Sequence, residues 1–204
     1  MTTDALPTVD GRRARRDQNR ERVVDALLEI YREGELRPSV AMVAERSGVS
    51  HRSVFRYFED LDELHRVAVE RQYASIRDFL MISEIGRGPL ADRIDKIVEG
   101  RLKLYDVSSP VSRVGHMLAP VEPVLAAHLQ EMAAASVAQV ARHFAVELDS
   151  MNDNDAAITA EALALAVSME SMEALRHIRG LDRGRAGAVM RATLSGLLTS
   201  EPPG

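Results

Sequence analysis

The chain has 204 residues, of which 46% are hydrophobic and 28% charged, and its formal net charge is −5. This length suits one or two small domains with a proper core, and the predominance of alanine and leucine over glycine and proline favours an all-helical fold. The absence of cysteine excludes disulfides and thiolate metal sites. No run of about 18 apolar residues could span a membrane. The N-terminus is polar and arginine-rich, unlike a signal peptide, so we expect a cytoplasmic protein.

Positive charge is concentrated in the N-terminal part of the chain. Residues 1–57 contain 11 arginines and no lysine against 9 acidic residues, a balance of +2, whereas the remainder has 15 basic and 22 acidic residues, a balance of −7. This asymmetry would direct one end of the molecule toward phosphate and keep the other end away. A chance distribution of surface charges could give the same split.

Residues 1–16 lack apolar periodicity and contain Pro7, Gly11 and four arginines. We predict a disordered arm here, which either enters a DNA minor groove with its arginines or only aids solubility. The first helix is predicted from Asp17 to Glu33, because apolar residues then recur at steps of three and four. Gly34 is expected to end it.

Residues 39–58 have the pattern of a helix-turn-helix. Ala44 allows close helix packing, Gly48 suits the left-handed backbone of the turn, and Val54 seals the angle between the helices. Ser39 and Ser50 stand where N-caps of the second and third helices belong. We therefore predict a helix-turn-helix DNA-binding domain over residues 17–62, with its third helix over residues 51–58 lying in the major groove.

The third helix is expected to turn Val54, Phe55 and Phe58 toward the core. The residues expected to contact DNA remain on the outer side or at the helix starts, namely Ser39, Ser50, His51, Arg52, Ser53, Arg56 and Tyr57. Arginine pairs bidentately with guanine, and Arg52 and Arg56 share one helical face. We assign Arg52 and His51 to base edges, Arg56 to bases or phosphate, and Tyr57, Ser39 and Ser53 to phosphates.

The remaining residues, 63–204, are predicted to form a larger helical domain. Asp60 and Glu63 form a capping box for a fourth helix that continues to about Leu80. Further helices are predicted from about Ile94 to a break before Ser108 and Pro110, then over residues 111–118, 123–148, 156–179 and 182–199.

The helix-turn-helix resembles that of bacterial transcriptional regulators of the tetracycline-repressor (TetR) family. The residues that carry this resemblance are Ala44, Gly48, Val49, Ser50, Ser53, Val54, Phe55, Tyr57, Phe58, Glu63 and Leu64. Similarity covers residues 20–69, about a quarter of the chain, and is only architectural beyond them. The family's usual tyrosine is replaced by Phe55 and its usual lysine by Leu61, so two phosphate contacts are missing, for which Tyr57, Arg52 and Arg56 could compensate.

The resemblance implies an effector pocket among the middle helices. Candidate lining residues are Tyr105, His116, Met117, His128, Met132 and Phe144. Methionine and aromatic side chains suit a small, apolar and adaptable ligand, although such residues are also ordinary core residues. A ligand there would shift the fourth helix and weaken DNA binding.

The last two predicted helices are apolar on more than one side, which favours pairing across a two-fold axis into a four-helix bundle, as in related regulators. The expected dimer contacts are Leu165, Met169, Met172, Met190, Leu194 and Leu197. A helix buried within one subunit would show the same pattern. A homodimer would bind a palindromic double-stranded operator with half-sites about 34–36 Å apart.

No metal or cofactor is expected, because His116, His128 and His143 lack the spacing of a helix-borne site. Nor does any phosphate loop, nucleophile elbow or carboxylate pair suggest an enzyme. The sequence thus favours a homodimeric repressor released by a small apolar ligand. The alternatives are a helical ligand-binding or enzymatic module that uses its helix-turn-helix for protein contact, and a regulator without a small-molecule effector.

Overall fold

A computed structural model describes residues 9–76 and 81–199, and within these residues the chain is helical, with no strand. The helices are α1 (Val9–Arg32), α2 (Val40–Ser47), α3 (His51–Tyr57), α4 (Leu61–Ile76), α5 (Leu90–Leu118), α6 (Pro123–His143), α7 (Ala145–Leu148), α8 (Asp153–Ala166), α9 (Met169–Glu173) and α10 (Arg183–Thr199). A π-helical turn, Ala174–Ile178, follows α9. The prediction of an all-α fold with an N-terminal helix-turn-helix is therefore confirmed. No helix in these two ranges is long and apolar enough to cross a membrane.

The helices α1 to α4 enclose the first of two apolar cores. Val23, Leu27, Val54, Phe58 and Leu64 are almost completely buried in it. This core also takes in the second half of α5, including Val111 and Val114. The helix-turn-helix is thus packed directly onto the larger part of the chain.

The helix α1 begins at Val9, not at Asp17, so the prediction of a disordered arm is wrong for residues 9–16. Those residues are exposed where their burial is described, and most of these are arginines, so they show no apolar periodicity although they continue a packed helix. Isolated polar segments are marginal helices, but extension of an existing helix needs no new nucleus. The rest of the predicted arm, residues 1–8, lies outside the described residues.

The helix α5 continues through Pro110, where the sequence predicted a break between two helices. Proline removes one helical hydrogen bond and clashes with the preceding turn, which usually ends a helix. Here Ser108, Ser109 and Val111 around it are buried. Burial on both sides of Pro110 keeps α5 helical from one core to the other, so tertiary packing overrides the local preference.

Two other predicted helices are divided in the structure. The predicted helix over residues 123–148 is interrupted at the fully buried Phe144, which separates α6 from α7. The one over residues 156–179 is interrupted after Val167, because the side chain of Ser168 caps a new helix by accepting a hydrogen bond from the backbone N–H of Ser171 (3.2 Å). The predicted end of α4 at Leu80 lies outside the described residues.

The second core lies between the first half of α5 and helices α6, α8 and α10. At its edge the buried guanidinium of Arg93 forms an ion pair with Glu147 and donates to the carbonyl of His143 (2.9 Å). Outside this core, Arg183 and Arg191 of α10 both pair with Glu99 of α5. Polar contacts thus join α5 to α7 and α10 at the end remote from the helix-turn-helix.

Candidate nucleic-acid interface and effector cavity

Both helices of the helix-turn-helix begin at the predicted serine caps. The Ser39 hydroxyl accepts from the backbone N–H of Met42 (3.3 Å), and the Ser50 hydroxyl accepts from that of Ser53 (3.2 Å). Gly48 ends α2 with φ of 69°, the left-handed conformation predicted for the turn. These local signals determine the residue at which α3 starts and the direction of α3 relative to α2.

The outward face of α3 is basic and free of carboxylates. His51, Arg52 and Arg56 are exposed, and Ser53 is half-buried. Neither arginine forms an ion pair with any described residue, whereas nearby Arg46 is paired with Glu33. An exposed arginine without a carboxylate partner keeps its hydrogen-bond donors available for bases or phosphates.

Two aromatic residues of α3 exchange the positions that the sequence predicted. Phe55 is 47% exposed, and its ring contacts that of His51 (centroids 5.2 Å apart). Tyr57 is buried, and its hydroxyl accepts from Arg56 Nη2 (2.9 Å). Position 57 is one turn after the buried Val54, whereas position 55 follows His51 and Arg52 on the outer face. The prediction that Tyr57 faces DNA and Phe55 the core is therefore wrong.

Leu61, where the resemblance would place a lysine, is half-buried against the first core. The turn before it is held by acidic side chains. Asp60 accepts from the backbone N–H of Glu63 (2.7 Å), and Glu63 in turn accepts from the N–H of Glu59 (2.5 Å). The capping box is thus present in a modified form, in which Glu63 binds Glu59 instead of Asp60.

A cavity of about 290 Å³ opens between α4, α5, α6, α8 and α9. Its wall is mostly apolar, and polar groups stand at a few points. The side chains that line it include Tyr73, Ile76, Arg101, Leu104, Ser112, His116, Leu129, Met132, Ser136, Val137, Glu161, Leu165, Met169, Glu170 and Met172. A cavity of this size is at the lower end of those that hold small ligands, about 300–1,000 Å³.

Of the six residues predicted to line a pocket, His116 and Met132 are in the wall. Tyr105 is buried in the second core with its hydroxyl donating to Glu173 (2.8 Å), and Phe144 is fully buried there. Met117 is on the outside of α5. The assignments of Tyr105, Met117 and Phe144 are therefore wrong. The long helix α5 presents one stripe to each core and a third face to solvent, and Phe144 lies at the break between α6 and α7. His128 does not line the cavity. Its ring stacks on that of Tyr73, which does (centroids 4.8 Å apart).

The cavity wall contains an ion pair between α5 and α9. Both ring nitrogens of His116 face acceptors, the carbonyl of Ser112 at 2.8 Å and the carboxylate of Glu170 at 2.9 Å. The hydrogen bond to Glu170 raises the pKa of His116, and the same bond lowers the pKa of Glu170 to about 2. The pair therefore favours a charged imidazolium and a carboxylate, which largely neutralise each other.

The helix α4 connects the cavity to the helix-turn-helix. Tyr73 and Ile76 of α4 line the cavity, while Leu64 and Ala68 of the same helix are buried in the first core. The contact of α4 with α5 is close at Gly115, where a Cβ atom would lie 2.3 Å from the Tyr73 hydroxyl oxygen. One helix, α4, thus extends from the cavity wall to the core of the helix-turn-helix.

The residues predicted for the dimer interface have different exposures. Met172, Met190 and Leu194 are buried within the single chain, so their assignment to a dimer surface is wrong: they provide the inward stripes of α9 and α10. Leu165 of α8 is 64% exposed, while Met169 and Leu197 are half-buried. Ile158 of α8 and Val189 of α10 are also exposed.

A helix-turn-helix unit packed by its fourth helix onto a helical body with an internal cavity is the architecture of TetR-like transcriptional regulators. A TetR-like transcriptional regulator from Rhodococcus sp. RHA1 superimposes with a TM-score of 0.65 over 90% of this chain and 97% of its own, at 16% identity. The multidrug binding protein EbrR complexed with imidazole gives 0.60 over 91% and 93%, at 18% identity. SmeT complexed with triclosan gives 0.57 over 92% and 100%, at 17% identity.

The chain thus has the TetR-like fold over nearly its whole length, as the resemblance of residues 20–69 implied. No protein-family model matches the sequence, and no curated protein matches it. At such low identities the likeness is one of fold, and the roles of individual residues depend on the geometry described above. In the described ranges, no group of three or more side chains is arranged to hold a metal ion.

Proposed function

We propose that this protein is a sequence-specific DNA-binding transcriptional regulator, acting as a homodimeric repressor on a palindromic operator. The observation that carries the proposal is the outward face of α3. There His51, Arg52 and Arg56 are exposed on a helix capped by Ser50, without carboxylates to neutralise the arginines. Arginine and histidine on a helix of this kind read base edges in the major groove, and Ser39 and Ser53 are proposed to contact phosphates.

The experiment is a fluorescence anisotropy titration of the purified protein against labelled DNA from beside its own gene. Regulators commonly control neighbouring genes, so this DNA is the first choice. We expect binding that outcompetes random DNA and weakens steeply with salt, because lysine and arginine contacts to phosphate release counterions. Binding without preference over random DNA at every salt concentration would refute sequence-specific regulation from this site.

A homodimer is supported by the exposed apolar residues on α8 and α10, which pack side by side at the end of the molecule remote from α3. These exposed residues are Leu165 and Ile158 of α8 and Val189 of α10, of which Leu165 also lines the cavity. A Leu165→Glu change is expected to shift the protein from dimer to monomer in size-exclusion chromatography with light scattering. The control is Val146→Glu on α7, where valine is also exposed but off this surface. An unchanged dimer with Leu165→Glu would refute the assignment.

Release from DNA is proposed to start in the cavity. A ligand there would contact Tyr73 and Ile76, and a shift of α4 would change the separation of the two α3 helices in the dimer. A coupling free energy of about 1–3 kcal/mol, a usual size for such switches, would lower DNA affinity about 5–150-fold. EbrR and SmeT have been solved with imidazole and triclosan, respectively, which supports a small ligand in a fold of this kind. An open cavity also speaks against the alternative of a regulator without an effector.

A further inference from the structure

One wall of the cavity contains a buried arginine that has no acidic partner in the described part of the chain. Arg101 of α5 is only 7% exposed, and its Nη2 donates to Gln139 Oε1 (2.8 Å) and Ser136 Oγ (3.2 Å) on α6. These are its only side-chain hydrogen bonds within residues 9–76 and 81–199, and it forms no ion pair there. Guanidinium has five N–H donors, so most of its hydrogen-bonding capacity is unused.

A buried charge of this kind is costly, because neutral amide and hydroxyl groups replace only part of its hydration. Burial lowers the pKa of Arg101 to about 10, which still leaves it charged at neutral pH. The other buried arginine of the body, Arg93, has Glu147 as its counter-ion. Among the described residues, Arg101 thus differs from Arg93 in having no counter-ion, and both Arg101 and Ser136 line the cavity.

The carboxylates of the cavity are not available to Arg101. Glu170 is paired with His116, which is fifteen positions further along α5, or about 22 Å at 1.5 Å per residue. Glu161 is exposed at the rim of the cavity and lies outside ion-pair distance of Arg101. Between Arg101 and His116 the wall is mostly apolar, with Leu104, Leu129 and Met132 among its residues and Ser112 as a polar one.

We propose that the cavity binds a small amphipathic anion, with its carboxylate on Arg101 and Ser136 and its apolar portion against Leu104, Leu129 and Met132. This deepens the proposed function, on which it rests, by giving the effector a chemical class. A carboxylate on a guanidinium forms short charge-assisted hydrogen bonds and supplies the missing counter-ion. The apolar part of the ligand would then extend toward α4, where Tyr73 and Ile76 complete the wall.

The test compares charged and neutral ligands of the same shape on the protein alone. Hexanoate, octanoate and decanoate, and the matching primary amides, are titrated by calorimetry into the wild type, Arg101→Met and Lys103→Met. Methionine keeps an unbranched side chain at position 101 without its charge. Lys103→Met removes the same charge from the exposed side of α5, beside a second recess of about 260 Å³ that Arg101 also lines. Circular dichroism and Tm verify folding of each variant.

We expect the wild type to bind at least one carboxylate about tenfold or more tightly than its amide, as charge-assisted hydrogen bonds are roughly twice as strong as neutral ones. Arg101→Met should abolish the difference and Lys103→Met should retain it. Equal affinity for acid and amide, or no binding of any of the six compounds, would overturn the proposal. If Lys103→Met reduced the acid preference as much as Arg101→Met, the anion would bind in the second recess, and this result would also overturn the proposal.

If Arg101→Met does not fold, the comparison of acid with amide in the wild type still decides, together with Arg101→Lys, which keeps the charge and should keep a preference for acid. The result is separable from the proposed function, because calorimetry needs no DNA. Acid-selective binding by a protein that binds no DNA would retain the anion site and refute the regulator. DNA binding without acid selectivity would retain the regulator and refute the anion site.

Discussion

At Gly115 the helices α4 and α5 are in close contact, and Gly115→Ala tests whether that approach is required. The added Cβ would lie 2.3 Å from the Tyr73 hydroxyl oxygen and 3.2 Å from both Tyr73 Cζ and Val69 Cγ1. Tyr73 is 3% exposed and stacks on His128, so its ring has little room to move. The two helices must therefore separate or the ring must leave its place.

Overpacking of this kind costs about 1–3 kcal/mol. Replacing a mid-helix glycine by alanine returns about 0.5–1 kcal/mol through helix propensity. We expect the free energy of unfolding of Gly115→Ala to fall by about 1–2 kcal/mol, measured by urea denaturation followed by circular dichroism. The control is Gly100→Ala on the same helix, where a Cβ meets no atom within 4 Å among the described residues. That variant is expected to gain about 0.5–1 kcal/mol.

A second substitution identifies the cause. The Tyr73 hydroxyl is buried without a hydrogen-bond partner in the described part of the chain, so Tyr73→Phe alone is expected to be neutral or slightly stabilising. In the Gly115→Ala background it should recover part of the lost stability, because it removes the closest contacting atom. If Gly115→Ala were as stable as Gly100→Ala, or if Tyr73→Phe gave no recovery, the close approach would not be what requires glycine.

Three further changes have outcomes that follow from single contacts. Gly48→Ala places a Cβ at φ of 69° and 3.0 Å from Arg22 Nη2, and we expect a loss of about 1–2 kcal/mol in urea denaturation together with weaker DNA binding. Glu147→Gln leaves Arg93 buried without its counter-ion and is expected to cost about 3 kcal/mol; a loss below about 1 kcal/mol would show that the pair contributes little. His65 is buried without a hydrogen-bond partner in the described ranges, and burial lowers its pKa below the ordinary 6.5. Since the unfolded chain then binds the proton more readily, His65 makes stability fall as pH drops below about 6.5, and His65→Leu should flatten the pH profile of Tm in that range.

The local signals of the helix-turn-helix could be interpreted correctly from sequence because each is satisfied within a few residues. Ser39 and Ser50 cap the helices they precede, and Gly48 takes the left-handed turn conformation. These local signals do not determine which side of the short helix α3 faces the core. Phe55 and Tyr57 are both aromatic, and only the packing of α3 into the first core buries Tyr57 and leaves Phe55 exposed.

In the helical body the sequence indicated apolar stripes but not which surface each stripe covers. Met190 and Leu194 have the same periodicity whether they face their own core or a second subunit, and the structure buries them in their own. The continuation of α5 through Pro110 depends on packing with residues distant in sequence, which no local rule predicts. Arg101 did leave a signal, because it stands four residues after Ile97 on an otherwise apolar stripe. A charge at such a position marks a buried group that needs a partner.

We propose that α3 binds DNA through its exposed arginines, and one measurement tests this most directly. Anisotropy titrations of wild type, Arg52→Ala and Arg87→Ala are run on the same operator and on random DNA at several salt concentrations. Arg87 is an exposed arginine in the loop before α5, remote from α3, and serves as the charge-matched control. We expect Arg52→Ala to weaken operator binding by about 1–3 kcal/mol and to relax specificity at one base pair, while Arg87→Ala binds like wild type. Equal affinities for all three proteins, or equal losses on operator and random DNA with Arg52→Ala, would contradict it.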